Sequence, residues 1–383
     1  MKLVARSSLT TKVAEQARLS WVRGAQSCLL AGIGVALLLN CGCGSGQTGS
    51  KISIGAVFPL TGDIASYGTA AKRGIDLAAD ELNGTGGVAG KRLDVVYEDD
   101  QGQANQAVAA MQKLVSINKV PAVLGSAASS VTLALCPLAN RNKVVLITPI
   151  SSSAELTSKG GPYFFRVCPS DVVQAKMMAD WFKEDGRHKA AILYVNNSWG
   201  QSLHEEFAAD FRANGGEIVE EETCRDGDRD MRAQLTKIKA AAPDALYGIT
   251  QGREGGVILL QSRELGFGKP IYGADVWGSP ELVETAKDAA NGVRIIVPAK
   301  FEGPTYAAFA AAFQKKYGQQ PDTYAAYSYD MTRILAAALA KSPGTDGLRQ
   351  ALASTSYEGV TGLTKFDSHG DVVGKGFQRK VLP

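Results

Sequence analysis

KISIGAVFPLTGDIASYGTAAKRGIDLAADELNGTGGVAGKRLDVVY, residues 51–97, decides the fold. Its first eight residues form an apolar run that reads as a strand, and a Pro/Gly loop follows. Over 69–83 the apolar residues Ile75, Ala78, Ala79 and Leu82 recur at i, i+3, i+4 and i+7, which predicts one buried face of a helix. Residues 93–97 predict a second strand. Working outward, the same alternation continues as a helix over 105–117, a strand over 122–125, a helix near 131–140 and a strand over 144–147. It restarts after Pro169 with helices over 172–184, 203–214, 229–241 and 255–265, and strands over 190–195, 217–221, 245–249 and 270–272. Alternating strands and helices imply parallel sheets covered on both faces. Two such runs imply an α/β protein of two Rossmann-like lobes.

Upstream lies a different kind of sequence. Five basic residues (Lys2, Arg6, Lys12, Arg18, Arg23) precede an apolar run over 28–39, which ends at Cys41 and Cys43 and gives way to Gly, Ser and Thr. Basic, then apolar, then small residues is the layout of a secretory signal. The apolar run is about twelve residues, short of the 20 or so that a bilayer needs. A cysteine followed by a polar tether resembles a bacterial lipoprotein signal, with Cys41 or Cys43 as the lipidated residue. Simple cleavage and secretion is the alternative. The reading divides the chain into a leader over 1–43, a tether over 44–50 and a body that works outside the cytoplasm.

The leader also carries the apparent basicity. Its five Lys/Arg and one acid, Glu15, account for four charges of the formal +3, leaving −1 for the remainder. A near-neutral body has no field to attract nucleic acid or anionic membrane. Its length of about 330 residues suffices for two domains with real cores. Cys136, Cys168 and Cys224 are far apart and form no CxxC or Cys/His cluster, so no metal or redox site is expected. They read as buried thiols, with a Cys136–Cys168 disulfide as the alternative.

In open parallel sheets ligands bind beyond the C-terminal strand ends. Those ends carry PLTGDIASYG (59–68), GSAASS (125–130), TPISSSAELT (148–157), NNSWGQS (196–202), TQGREGG (250–256) and GADVWGS (273–279). The two serine loops precede predicted helices, where hydroxyls and free backbone N–H groups suit an anion such as a carboxylate. Serine is also a good helix cap, so capping alone would explain either loop. Asp275 is an acid suited to a cation by a charge-assisted hydrogen bond, or else a turn residue. Trp277 reads equally as a pocket wall or as packing. Arg253 either answers an acid or is solvated, and Tyr324, Tyr327 and Tyr329 read as core and hinge packing.

The ordered series from IGAVFPLTGDIASYGTAAKRGIDLAADELNGTGGVAGKRLDVVYEDDQGQANQAV through VPAVLGSAASS, VVLITPISSSAELT, YFFRVCPSD and VNNSWGQS to TGLTKFDSHGD resembles the periplasmic branched-chain amino-acid-binding proteins, the solute receptors of ABC importers. The resemblance implies the type I periplasmic binding fold, two lobes joined by a three-strand hinge. It implies lobes over 51–168 with 300–358 and over 169–299 with 363–383, crossing near 167–169, 298–301 and 359–362. It further implies that Ser129 and Ser152 hold a ligand carboxylate, that Ile150 and Ser151 lend backbone groups, and that Tyr67 walls the pocket. Trp199 and Gln251 fall near second-lobe tyrosines of the family, and Asp275 matches the acid that pairs with the ligand ammonium.

Function follows as an expectation: a small amino acid, with an apolar side chain, is captured by lobe closure and handed to an ABC permease in the inner membrane. No metal or cofactor is required, and a monomer is expected. The alternatives are a binder of an amide, urea or an aromatic or aliphatic acid, and a ligand-binding sensor component. An enzyme is not expected. No G-x-S-x-G, HExxH, P-loop or G-x-G-x-x-G occurs, and His188, His204 and His369 lack partner spacing.

Overall fold

The structure, a computed structural model, describes residues 50–383. The leader, Cys41 and Cys43, and all of the tether but Ser50 lie outside the described residues. The first lobe opens with β1 (Lys51–Phe58), α1 (Ala65–Gly84), β2 (Arg92–Asp99), α2 (Ala104–Ser116), β3 (Ala122–Gly125), α3 (Ser129–Asn142), β4 (Val145–Thr148), α4 (Glu155–Lys159) and β5 (Phe164–Arg166). Its sheet is parallel, in the order β2-β1-β3-β4-β5. β1 is an interior strand, wholly apolar from Ile54 to Phe58 apart from Gly55, as a strand buried on both faces must be.

The second lobe takes α5 (Asp171–Glu184), β6 (Lys189–Val195), α6 (Ser198–Ala213), β7 (Glu217–Cys224), α7 (Arg232–Ala240), β8 (Ala245–Ile249), α8 (Gly252–Glu264) and β9 (Ile271–Gly273). A 3₁₀ turn (Asp275–Gly278), α9 (Pro280–Ala286) and β10 (Arg294–Pro298) follow. The chain then returns to the first lobe for α10 (Pro304–Tyr317), α11 (Thr323–Lys341), α12 (Thr345–Ala353) and a small antiparallel sheet of β11 (Ser356–Gly359), β12 (Gly362–Phe366) and β13 (Val372–Val373). β14 (Phe377–Val381) closes the second sheet, ordered β14-β10-β9-β8-β6-β7, as an antiparallel edge on β10.

Both sheets reverse strand order beside their first strand, between β1 and β3 in one lobe and between β6 and β8 in the other. A crevice opens at each switch point, beyond the C-terminal strand ends. The two crevices face one another.

The chain passes between the sheets through 167–170, 299–303 and 374–376. The third passage corrects the expected crossing at 359–362, so residues 363–373 stay with the first lobe. Phe366 packs edge-on against Phe165 at 5.2 Å. Arg166 N donates to Gly370 O at 2.9 Å. The fully buried Arg166 guanidinium pairs with Asp371 at 2.6 Å. A buried charge left unpaired is costly, so this pair pins the segment.

The two largest early starts relative to apolar periodicity are those of α1 and α6. α1 starts at Ala65 rather than Thr69, and α6 at Ser198 rather than Leu203. In each case the first turn borders the cleft and carries a single large apolar residue, Tyr67 or Trp199, among small and polar ones, too little to register as periodicity. Ile64 gives α1 no side-chain cap, whereas Asn197 caps α6 by accepting from Trp199 N and Gly200 N. Cys136, Cys168 and Cys224 are buried and free. Among the described residues no helix is long and apolar enough to cross a membrane, and no cluster of potential metal ligands occurs.

Candidate functional site

A cavity of about 100 Å³ lies between the lobes at the two switch points. Tyr67 and Ile64, Ala127 to Ser130, Ile150 and Ser152, and Tyr324 wall it from the first lobe. Asn197, Trp199, Asp226, Gln251, Asp275 and Val276 wall it from the second. Of the residues expected at a site, Tyr67, Ser129, Ile150, Ser152, Trp199, Gln251 and Asp275 therefore meet around one space.

The first-lobe wall is a donor surface. Ser129 is the first residue of α3 and is buried, and the first-turn N–H groups have no partner within the helix. A buried polar network holds the two serine loops. Ser126 Oγ donates to Asp100 Oδ2 at 2.5 Å, and Ser126 N to Thr132 Oγ1 at 3.0 Å. Thr148 Oγ1 and Ser151 Oγ both donate to Ser126 O, at 2.7 and 2.9 Å. Ser153 N reaches Ser129 Oγ at 3.3 Å. Such satisfied networks rigidify a loop.

This network corrects two expectations. Ser151 is buried within it rather than on the cavity wall, and its N–H already serves Thr148 Oγ1 at 3.1 Å. The Ile150 N–H serves the same oxygen at 3.3 Å, so Ile150 lines the cavity without a free backbone donor. The second serine loop leads only into the five-residue α4, so α3 supplies the dipole end.

The second-lobe wall is acidic. Asp275, half-buried on the 3₁₀ turn, is pushed up to about 6, chiefly by loss of hydration. Gln174 of α5 grips it twice: Oε1 accepts from Asp275 N at 2.7 Å and Nε2 donates to Asp275 Oδ1 at 3.3 Å. Behind it, fully buried Asp171 is pushed up to about 7 by burial first and by Asp275 second. Asp226 stands at the rim, where its Oδ2 accepts from Asn197 Nδ2 at 3.0 Å.

Trp277 is a correction: it is a core residue of the second lobe with no exposed surface, not a pocket wall. Its Nε1 donates to Thr250 O at 2.9 Å. The ring occupies space that Gly248, Gly255 and Gly273 leave open, since a Cβ at any of them would collide with it. Tyr324 is the converse. Read as packing, it stands on the cavity at the start of α11, edge-on to Tyr67 with centroids 5.2 Å apart. Asp322 caps this helix, its Oδ1 accepting from Ala325 N at 2.7 Å, and nothing local in the sequence marks which face meets the cleft. Tyr327 and Tyr329 are core residues. Arg253 is exposed, on an outer groove beside Asp226 and away from the inner cavity.

The lobes touch across the cavity. Tyr67 Oη donates to Gln251 Oε1 at 2.9 Å, and Ala154 N to Ser202 Oγ at 3.0 Å. Tyr67, Tyr324, Asp275 and Val276 also form part of the wall of a larger chamber of about 700 Å³ between the lobes.

A family model described as periplasmic binding protein matches residues 51–377. The leucine-, isoleucine-, valine-, threonine- and alanine-binding protein of Pseudomonas aeruginosa is 28% identical over 325 residues, covering 84% of this chain and 87% of its own. Among solved structures, the branched-chain amino acid transporter substrate-binding protein LivJ of Streptococcus pneumoniae, in complex with isoleucine, is 31% identical. It superposes with a TM-score of 0.77 and covers 86% of this chain and all of its own. An ABC transporter solute-binding protein of Rhodopseudomonas palustris in complex with 3,4-dihydroxybenzoic acid is 27% identical, with a TM-score of 0.78 over 87% of this chain and 93% of its own.

Proposed function

Because the chain belongs to the periplasmic binding protein family, we propose that it is the extracytoplasmic solute receptor of an ABC importer, capturing a small amino acid between its lobes. The observation that carries this reading is the opposition of unlike groups across one cavity. Ser129, Ser152 and the free N–H groups at the start of α3 face a half-buried carboxylate, Asp275, on the other lobe. A zwitterion needs donors at one end and an anion at the other, and closure completes both sets at once. Charge-assisted hydrogen bonds of this kind exceed neutral ones in strength.

Size and lining narrow the ligand. A cavity of about 100 Å³ is well below the 300–1,000 Å³ typical of drug-sized ligands. Tyr67, Ile150, Trp199 and Tyr324 form an apolar and aromatic surround for a short apolar side chain. The relatives from P. aeruginosa and S. pneumoniae agree with this class by what they bind.

Hinge bending at 167–170, 299–303 and 374–376 opens and closes the cleft, and the ligand shifts the population toward closure. The closed surface is what an inner-membrane permease would read. The receptor acts as a monomer, exported by its leader and held at the membrane, if at all, through Cys41 or Cys43. No catalysis is assigned to it.

A second reading has its own support. An Asp275 that titrates near 6 can turn neutral at modest cost and then accept an acid without an amine. The aromatic pair Tyr67–Tyr324 would flank a ring, and the R. palustris relative holds an aromatic acid.

A thermal-shift screen against the twenty amino acids, short amides, urea, and aliphatic and aromatic acids separates the readings. A ligand at 100 times its Kd stabilises the native state by about 2.7 kcal/mol. Stabilisation by leucine, isoleucine or valine supports the amino-acid reading. Stabilisation only by compounds without an amine overturns it and leaves a receptor for organic acids.

A further inference from the structure

Gln174 lies on neither serine loop and outside the cavity wall, and it is completely buried. Its amide nevertheless touches Asp275 at two points, backbone and carboxylate. The same Nε2 also donates to Asp171 Oδ1, one helical turn earlier, at 3.2 Å. Asp171 N in turn donates to Ser152 O at 2.9 Å. Ser152 O also accepts from Arg166 Nη1 at 2.9 Å. A short chain of hydrogen bonds thus joins the second serine loop to Asp275 through the first turn of α5, directly after the first passage between lobes.

We propose that Gln174 is the positioning residue of the ammonium site, orienting the Asp275 carboxylate toward the cavity, and that Asp171 fixes which way the Gln174 amide faces. This rests on the amino-acid reading only for the identity of the ligand; the positioning of the carboxylate stands apart from it. The orientation follows from the donor set. With Nε2 between two carboxyl groups, one oxygen of each accepts from it and Oε1 accepts from the Asp275 N–H. Flipped, Oε1 would face two acceptors and Nε2 a donor, losing all three bonds. Gln174 occupies Asp275 Oδ1 and leaves Oδ2 without a protein side-chain donor, free for a ligand N–H.

The same contacts favour the ionised form of Asp275 against the loss of hydration. The other titratable groups around the trio are Arg166 and Cys168 beside α5, Tyr247 of β8 beneath, and Tyr67, Tyr324 and Tyr327 across the cleft. Of these only Arg166 adds a positive charge, and Asp371 already answers it. Gln174 is therefore the side chain that holds Asp275 charged and aimed.

The test is a carboxyl ¹³C titration of Asp275, assigned through Asp275→Asn, in the wild type and in Gln174→Met, with a melting curve to confirm folding. A hydrogen bond to a charged group is worth about one pH unit or more of titration midpoint. Gln174→Met is expected to raise the Asp275 midpoint by about that much, and an unmoved midpoint overturns the proposal. Should Gln174→Met fail to fold, Asp171→Leu serves: it removes the acceptor that fixes the amide, so the Asp275 midpoint is expected to rise, and an unmoved midpoint overturns the proposal.

Calorimetry with L-leucine and with 4-methylpentanoate, its analogue without the amine, tests the ligand separately. In Gln174→Met, leucine binding at pH 7 is expected to weaken about tenfold with 4-methylpentanoate unaffected. Equal losses for both would mark Gln174 as merely structural and overturn the proposal. A wild type that binds no amino acid, with the Asp275 midpoint still moved by Gln174→Met, rejects the amino-acid reading and leaves the positioning role standing.

Discussion

Tyr67 and Gln251 are 184 positions apart and on different lobes, yet the Tyr67 hydroxyl donates to Gln251 Oε1 at 2.9 Å across the cavity. Tyr67 comes from the first turn of α1 and Gln251 from the cap position of α8, each beside the switch point of its own sheet. The contact makes lobe closure and pocket formation one event, because both side chains also wall the cavity. It also places a tyrosine edge-on to Tyr324, so the bond and the aromatic pair act on one ring.

Tyr67→Phe keeps that ring and removes the bond. A neutral hydrogen bond contributes about 0.5–1.5 kcal/mol net, so the closed form should lose population and ligand affinity should fall about two- to twelve-fold. Small-angle scattering with and without saturating ligand, together with calorimetry, measures both. An unchanged affinity with an unchanged radius of gyration would remove this contact from the closure mechanism.

Asp275→Ala is expected to weaken leucine binding by about 10- to 150-fold, the range for a hydrogen bond to a charged group, and to leave 4-methylpentanoate binding in place. The pH dependence has a definite sign. The ammonium partner must be ionised, and burial holds the Asp275 carboxyl up to about 6. Leucine affinity should therefore be flat above pH 7 and fall as the pH drops through 6. Calorimetry between pH 5 and 8 checks this, and the fall should vanish in Asp275→Asn.

Folding stability should move the opposite way from ordinary surface carboxylates. Asp171 and Asp275 titrate at about 7 and about 6 in the folded chain, above the usual carboxyl value near 4. Between those values the native state holds more protons than the unfolded chain, so stability falls as the pH rises from about 4 to 7. Asp171→Asn removes one charge from this buried pair. It should raise Tm at pH 8 and change it little at pH 4, as scanning calorimetry at the two pH values would show. Equal effects at both would mean that the carboxyl is not titrating there.

Trp277 separates core from pocket. Trp277→Ala should cost about 3–5 kcal/mol of stability, the range for deleting a buried aromatic ring, by emptying the space against Gly248, Gly255 and Gly273. Its cavity-facing neighbours Asp275 and Val276 remain. Denaturant melts should show the loss, while ligand affinity of the still-folded fraction at low temperature should change less than in Asp275→Ala. A larger loss of affinity than of stability would return Trp277 to the site.

The alternation of strand and helix, and hence two α/β lobes, was legible in the sequence because it is a local pattern. Apolar runs of four to eight residues and 3.6-residue periodicity report burial wherever they occur. The loops that carry Ser129, Ser152, Tyr67, Trp199 and Asp275 were legible for a related reason: they follow strand ends, and strand ends in such sheets face ligands; the individual residues were singled out by the family resemblance. What the sequence could not order was contact across long separations. Tyr324, near the start of a helix some 250 residues beyond Tyr67, reads as packing until α11 is laid against α1. Residues 363–373 look like part of the second lobe's final segment until Asp371 meets Arg166, 205 positions earlier. Trp277 sits two positions from Asp275, yet the 3₁₀ turn sends one to the core and the other to the cleft. Gln174 is silent in one dimension, an uncharged residue on an unremarkable helix. Its role arises only where tertiary packing brings α5 beneath the Asp275 turn, because a buried carboxylate must find a donor and this amide is the one within reach.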